Sequence, residues 1–164
     1  MTSLIVYFSR FGNTRRLAVA MAEPLGRSGD VRVIPIDQLT PADFEGIDLV
    51  VMGTPTHAFS LPQTVAAILK TLPSGILAGK SVAAFDTTVK PWPFRHMRAS
   101  PKLLRHLARL GGKPVAPPQT FFVQTKTPQK TGQIDLLLEG ELAHARKWVV
   151  GLLEQANTQQ KRAV

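Results

Sequence analysis

Short apolar runs alternate along this chain with longer segments whose apolar residues recur at helical spacing. The runs cover residues 4–8, 31–36, 48–52, 81–85 and 114–123, and the helical segments cover residues 13–26, 62–72, 100–110 and 136–155. The continuous apolar run over residues 4–8 is typical of a strand buried on both faces, and the less apolar run over residues 31–36 is expected at an edge of the sheet. Strand and helix in alternation favour a parallel sheet. We therefore predict an α/β fold, a three-layer sandwich with helices on both faces of the sheet.

Serine, glycine and proline residues indicate where several of these elements begin, end or are interrupted. Ser100 is expected to cap the third helix, which Gly111 and Gly112 would end. The segment Pro117-Pro118 interrupts the fifth strand. Residues 1–156 are expected to form one domain, followed by a frayed polar tail over residues 157–164.

Composition excludes several classes of site and protein. The 164 residues are 44% hydrophobic and 19% charged and include no cysteine, which excludes disulfides, thiolate metal sites and a cysteine nucleophile. We find no apolar run long enough to cross a bilayer and no basic leader before the first strand, so a cytoplasmic protein is expected. No catalytic triad, metal-ligand cluster or carboxylate pair points to hydrolysis.

A hydroxyl-rich loop follows the first strand and opens the first helix. It comprises Ser9, Arg10, Phe11, Gly12, Asn13 and Thr14. Ser9 and Thr14 offer hydroxyls, Gly12 lets backbone amides turn inward, and the helix start adds free N–H groups and the positive end of a dipole. Asn13 tolerates unusual backbone angles and suits the turn. We predict a phosphate site here, the alternative being an ordinary strand-to-helix turn; neither the Walker A nor the Gly-x-Gly-x-x-Gly pattern is present.

Two more loops are expected at the same edge of the sheet, where the carboxyl ends of parallel strands meet. The candidate residues after the third strand are Thr54, Pro55, Thr56, His57 and Phe59, and those after the fourth are Asp86, Thr87, Thr88 and Trp92. An aromatic loop over a cleft suits a flat ring that stacks on it. The alternatives are a solvated histidine at position 57 and a tryptophan that only covers core.

Together these loops resemble those of the flavodoxin family. Ser9 to Thr14 match its Thr/Ser-x-x-Gly-x-Thr phosphate loop, and Gly53 to Thr56 match its Gly-Ser/Thr-Pro-Thr segment. The resemblance implies a short-chain member with a five-stranded parallel sheet in the order 2-1-3-4-5 and FMN between strands 1 and 3. Residues 9–14 would hold the phosphate. The loop after strand 3, with His57, would flank one side of the isoalloxazine, and the loop from Asp86 the other.

The resemblance leaves three functions open. A one-electron carrier is favoured; the alternatives are an FMN-dependent NAD(P)H oxidoreductase, for example a quinone reductase, and a flavin-binding module without turnover. The tyrosine that often covers the outer flavin face in this family is missing, because Tyr7 lies inside strand 1. Either Trp92 or Phe94 replaces it, or the face is open and admits a nicotinamide, although no nicotinamide motif is visible.

The net charge of this chain differs from that of typical members of the family, which are strongly acidic. The formal net charge is +9, and residues 86–134 contain nine Lys and Arg against one acid. On the third helix, Lys102, Arg105 and Arg109 recur opposite the leucines and predict a basic solvent-facing stripe. We predict an acidic redox partner protein, the alternative being a solvated helix face. Nucleic acid is the weaker candidate because no recognition motif accompanies the charge.

Overall fold

The computed structural model describes residues 1–57, 60–89, 98–124 and 136–162. Within these ranges the strands are β1 (Ser3–Tyr7), β2 (Val31–Pro35), β3 (Leu49–Pro55), β4 (Ser81–Val89), β5 (Lys113–Pro114) and β6 (Gln119–Val123). The helices are α1 (Asn13–Gly26), α2 (Gln63–Thr71), α3 (Ala99–Arg109) and α4 (Glu141–Arg162). Two short 3-10 helices, Ile36–Gln38 and Pro41–Phe44, lead from β2 towards β3.

The sheet is parallel and has the predicted order, β2-β1-β3-β4 with the fifth strand outside β4. That fifth strand is divided into two segments: β5 pairs with the start of β4, and β6 pairs with its end. Pro117 and Pro118 lie between the two segments. Proline has no N–H to donate to a ladder, which accounts for the interruption.

Two apolar cores lie on opposite faces of this sheet. α1 and α4 pack on one face, and α2 and α3 pack on the other. Successive strand residues point to opposite faces, so in β1 Leu4 and Val6 enter one core while Ile5 enters the other. The helices contribute the following fully or almost fully buried residues: Leu17, Met21, Val149 and Leu152 to the first core, and Val65, Leu69, Leu103 and Leu107 to the second. The predicted fold class is confirmed.

The fourth strand is longer than the sequence predicted. It continues through Asp86, Thr87 and Thr88 to Val89, so these residues belong to β4 and not to the loop that follows it. The extension pairs with β3 on one side and with β6 on the other. A ladder on both sides, together with β-branched Thr87, Thr88 and Val89, explains why the strand persists.

The prediction that Ser100 caps α3 is wrong. α3 begins one residue earlier, with Arg98 at the N-cap position and no side-chain cap. Ser100 lies in the first turn, where its backbone N–H donates to Oδ2 of Asp86 at 2.7 Å. A carboxylate from β4 therefore takes the place of the expected hydroxyl cap.

The boundaries of the last helix also differ from the prediction. α4 begins at Glu141 rather than near residue 136, and it continues to Arg162, so the expected frayed tail is helical over residues 157–162. Buried Ala156 keeps this end against the core. Gln159 donates to the carbonyl of Pro114 at 3.4 Å, which ties the last turns of α4 to β5.

Candidate functional site

The carboxyl ends of β1, β3 and β4 meet at one edge of the sheet. Tyr7 is in register with Gly53, and Thr54 is in register with Asp86. A Cβ atom at Gly53 would lie 2.0 Å from the Phe85 ring, so this glycine is required by the close packing of β3 against β4. The three segments expected to form a ligand site therefore start from adjacent points of a rigid edge.

The loop after β1 turns sharply at Gly12. This residue has φ 92°, in the left-handed region that glycine adopts at little cost. The unusual backbone angle that the sequence suggested for Asn13 falls on Gly12 instead, and Asn13 is the first residue of α1. A Cβ atom at Gly12 would meet nothing within 4 Å, so the turn faces open space.

Hydrogen-bond donors collect beside this turn. The hydroxyl oxygen of Ser9 accepts from the N–H of Gly12 at 3.1 Å, which leaves the hydroxyl hydrogen able to donate elsewhere. The N–H groups of Asn13, Thr14 and Arg15 belong to the first turn of α1, and no acceptor binds them within the ranges described above. Such donors at the positive end of a helix dipole fit a phosphate dianion.

The side chains of Asn13 and Thr14 point away from that open space and anchor the loop. The Thr14 hydroxyl lies 3.3 Å from the Thr87 hydroxyl, and both residues are buried. Oδ1 of Asn13 accepts from the N–H of Leu136 at 3.1 Å, which ties the segment before α4 to the start of α1. At these two positions the groups left to face the open space are therefore the backbone N–H groups.

The loop after β3 is joined to the loop after β1. His57 and Ser60 exchange two backbone hydrogen bonds of 3.0 and 2.9 Å and so form an isolated antiparallel bridge. NH1 of Arg10 lies 3.3 Å from Nε2 of His57, and the Arg10 guanidinium also lies over the Phe11 ring at 5.5 Å. Arg10 thus bridges the two loops. Phe59, predicted to be a contact, lies outside the described residues.

Asp86 is a buried anchor between β4, the loop after β3 and α3. Its Oδ2 accepts from the Thr56 hydroxyl at 3.2 Å and from the N–H of Ser100 at 2.7 Å. The Thr56 hydroxyl oxygen in turn accepts from the N–H of Ala99 at 3.0 Å. Asp86 is fully buried, and its charge lies at the positive end of α3. The sequence analysis selected Asp86 as a site residue but did not predict that it anchors three segments. A carboxylate in line with a buried strand could have suggested this role, because a buried carboxylate needs hydrogen-bond donors.

The remaining predicted positions have different environments. Thr54 is fully buried and donates from its hydroxyl to the carbonyl of Pro55 at 3.3 Å. The N–H of Thr56 donates to the carbonyl of Thr87 at 2.8 Å, and Thr88 is buried in β4. Trp92 and Phe94 lie outside the described residues. The structure therefore brings together the loops after β1 and β3 with the end of β4.

An open cleft of about 1290 Å³ runs over the loop after β1. Its lining includes Ser9, Gly12 and the exposed ring of Phe11 and continues along α1 to Glu23 and Arg146, and it contains none of the described residues of the loop after β3 or the end of β4. Small-molecule pockets are typically about 300–1,000 Å³, so space does not exclude a cofactor with a flat tricyclic ring.

Comparison with known proteins decides the family. Residues 5–148 match the family model described as flavodoxin. The chain belongs to the flavodoxin family. Flavodoxins are flavin-binding electron-transfer proteins.

Solved flavodoxin structures share its fold. Flavodoxin 2 from Bacillus cereus superposes with a TM-score of 0.73 at 18% identity, covering 94% of this chain and 99% of the other. A short-chain flavodoxin associated with a non-canonical PDU bacterial microcompartment gives a TM-score of 0.72 at 20% identity, covering 95% and 99%.

A curated relative carries the name NAD(P)H dehydrogenase (quinone), from Gluconacetobacter diazotrophicus. It is 29% identical over 110 residues, a match covering 52% of this flavodoxin. The chain spans 55% of the length of that relative.

In the part of the chain that the structure describes, no helix is long and apolar enough to span a membrane. The same ranges contain no group of three or more His, Cys, Asp or Glu side chains arranged to hold a metal ion.

Proposed function

We propose that this flavodoxin binds FMN and carries single electrons between protein partners. The observation that supports FMN most directly is the group of free donors at the turn after β1. The hydroxyl of Ser9 and the N–H groups of Asn13, Thr14 and Arg15 would hold the phosphate. When bound, FMN supplies the one-electron chemistry, and the protein supplies binding and orientation.

The protein's own part in this proposal is to hold the loops in position. The Arg10 contact with His57 would keep the loops after β1 and β3 at a fixed separation. The Asp86 hydrogen bonds would hold Thr56 and the start of α3 in place. His57, Phe59 and Trp92 stay predicted contacts of the isoalloxazine.

A second candidate is an FMN-dependent NAD(P)H oxidoreductase. The observation that favours it is the relative named NAD(P)H dehydrogenase (quinone), whose matched segment covers about half of this chain. Mixing the flavin-loaded protein anaerobically with NADH or NADPH separates the two candidates. Rapid bleaching of the flavin absorbance would favour the oxidoreductase, and an unchanged spectrum the carrier. A flavin-binding module without turnover would leave the spectrum unchanged too. It differs from the carrier because, after chemical reduction, it would not pass electrons to a protein acceptor.

We also propose that the redox partner is an acidic protein, since the net charge of +9 favours acidic surfaces. The cytoplasmic location expected from the sequence stays a prediction.

The phosphate site is tested by replacing Gly12. Gly12→Glu should reduce FMN affinity at least about 100-fold, equivalent to ~2.7 kcal/mol, because it adds a carboxylate where a dianion would lie and strains a positive φ. FMN fluorescence quenching measures the affinity.

Gly75→Glu is the matched control for Gly12→Glu. Gly75 has φ 76° and open space around its Cβ position, and it lies on the turn between α2 and β4, far along the chain from the candidate site. The Gly75→Glu substitution adds the same charge as Gly12→Glu and a similar backbone strain. Equal losses of FMN affinity in the two variants would show that strain or net charge, and not the phosphate site, causes the effect.

A further inference from the structure

One half of this chain has no acid at its surface. Between Leu49 and Ile134 the sequence contains eleven Lys and Arg residues and a single acid, Asp86, and that acid is fully buried. The helices α2 and α3 both belong to this half and pack side by side on the same face of the sheet. Any cation on their outer surfaces therefore has only cations as charged neighbours along the two helices.

The cations of this face surround a groove between the two helices. A cavity of about 280 Å³ is lined by Ser60, Leu61, Ala66, Lys102, Arg105, His106 and Arg109. Lys70, on the last turn of α2, is close enough to lower the pKa of His106. No carboxylate lies within ion-pair distance of Lys70, Lys102, Arg105 or Arg109 in the part of the chain described. We call these four Lys and Arg residues, together with His106, the cationic groove.

The cationic groove reaches the loop that would flank the flavin. Nζ of Lys102 donates to the Ser60 hydroxyl at 2.9 Å. Ser60 exchanges two backbone hydrogen bonds with His57, and His57 contacts Arg10 on the loop after β1. A molecule seated in the groove would therefore lie next to the candidate cofactor site.

We propose that the cationic groove is the docking site for an acidic segment of the redox partner. This proposal rests on the electron-transfer function proposed above. Lys102 to Arg109 spans seven residues of helix, or about 10 Å at 1.5 Å per residue, which suits a few neighbouring carboxylates. Long-range attraction would orient the partner with its acidic patch against this face and its redox centre near the loop after β3.

Nucleic acid fits the groove less well than an acidic protein. Single-stranded nucleic acid is usually held by aromatic side chains that stack on the bases, next to a basic track. The described lining of the groove contains no aromatic residue apart from the imidazole of His106. The cations of the groove also form a compact cluster, whereas single-stranded nucleic acid would need a longer row of cations along its phosphates.

The test compares two charge-reversed variants of the full chain. The first is Lys70→Glu, Arg105→Glu, Arg109→Glu, which leaves the Lys102 contact with Ser60 in place. The second is Arg27→Glu, Lys147→Glu, Lys161→Glu, which makes the same change in charge at exposed positions on α4 and at the end of α1. Fluorescence anisotropy measures binding of a fluorescein-labelled octaglutamate peptide and of an eight-nucleotide oligo-dT.

Wild type is expected to bind the peptide more tightly than the oligonucleotide. The groove variant should bind the peptide at least tenfold more weakly than wild type, and the control variant less than threefold. Equal weakening in both variants, no binding of the peptide by wild type, or preference for the oligonucleotide would overturn the proposal. FMN affinity, measured separately, reports on the proposed function, so the two failures can be told apart.

Discussion

At the scale of single residues, the candidate site depends more on backbone than on side chains. The sequence identified residues 9–14 as a phosphate loop from their hydroxyls, yet the Thr14 hydroxyl faces Thr87 and the Asn13 amide binds Leu136. What faces the open turn is a set of N–H groups that Gly12 exposes through its positive φ. The residue types at these positions permit this backbone, so the sequence could predict that amides turn inward here. The direction of each side chain depends on the packing of β4 and the segment before α4, which local sequence does not encode.

His106 gives a pH-dependent prediction at this scale. Burial lowers its pKa, and Arg109, Lys70 and Arg105 lower it further; Lys102 also lines the same cavity. The folded protein therefore binds this proton more weakly than the unfolded chain, whose histidine pKa is about 6.5. The contribution of neutral His106 to the free energy of unfolding is fully present above pH ~6.5 and is lost as the pH falls towards the pKa of His106 in the folded protein.

The free energy of unfolding should thus decrease between pH 7.5 and 5.5, and His106→Gln should make that decrease smaller. Urea denaturation across this range measures it. If the decrease were the same in His106→Gln as in wild type, the lowered pKa would be wrong.

At the scale of secondary structure, the sequence predicted the elements well and their ends poorly. Alternating strands and helices predicted the parallel sheet, the resemblance to flavodoxins implied the strand order, and Gly26 marked the end of α1. The longer β4 and the start of α3 depend on contacts between residues far apart in sequence. Thr56, Asp86 and Ser100 span 44 residues yet share one hydrogen-bond network. No local pattern reveals such a network, although a carboxylate in a buried strand is a signal that it needs donors.

Asp86 should therefore hold three elements together. Asp86→Ala removes the acceptor for the Ser100 N–H and the Thr56 hydroxyl and leaves buried donors unsatisfied, at a cost of about 2–4 kcal/mol in the free energy of unfolding. Asp86→Asn keeps an acceptor oxygen but not the charge, so its loss should be smaller. Asp30→Ala, at an exposed position, should change stability by less than about 0.5 kcal/mol. Urea denaturation measures all three, and an Asp86→Ala loss no larger than that of Asp30→Ala would contradict the anchoring role.

At the scale of the whole molecule, the charges are strongly segregated. Acidic side chains pair with neighbours on the side of α1 and β2, where Glu23 contacts Arg27 and Arg146, and Asp43 contacts Arg32. The face of α2 and α3 carries only cations in its described part. Composition alone gave the net charge, and helical spacing gave the stripe on α3. The contribution of Lys70 from α2 and the contact of Lys102 with Ser60 required the packed structure.

The central claim is that the loop after β1 binds the phosphate of FMN, and a comparison of two flavins tests it most directly. Riboflavin has the same isoalloxazine and ribityl chain but no phosphate. Titrating the flavin-free protein with each, and following flavin fluorescence, should give an affinity for FMN at least about 100-fold higher, equivalent to ~2.7 kcal/mol. Equal affinities for FMN and riboflavin would contradict the claim.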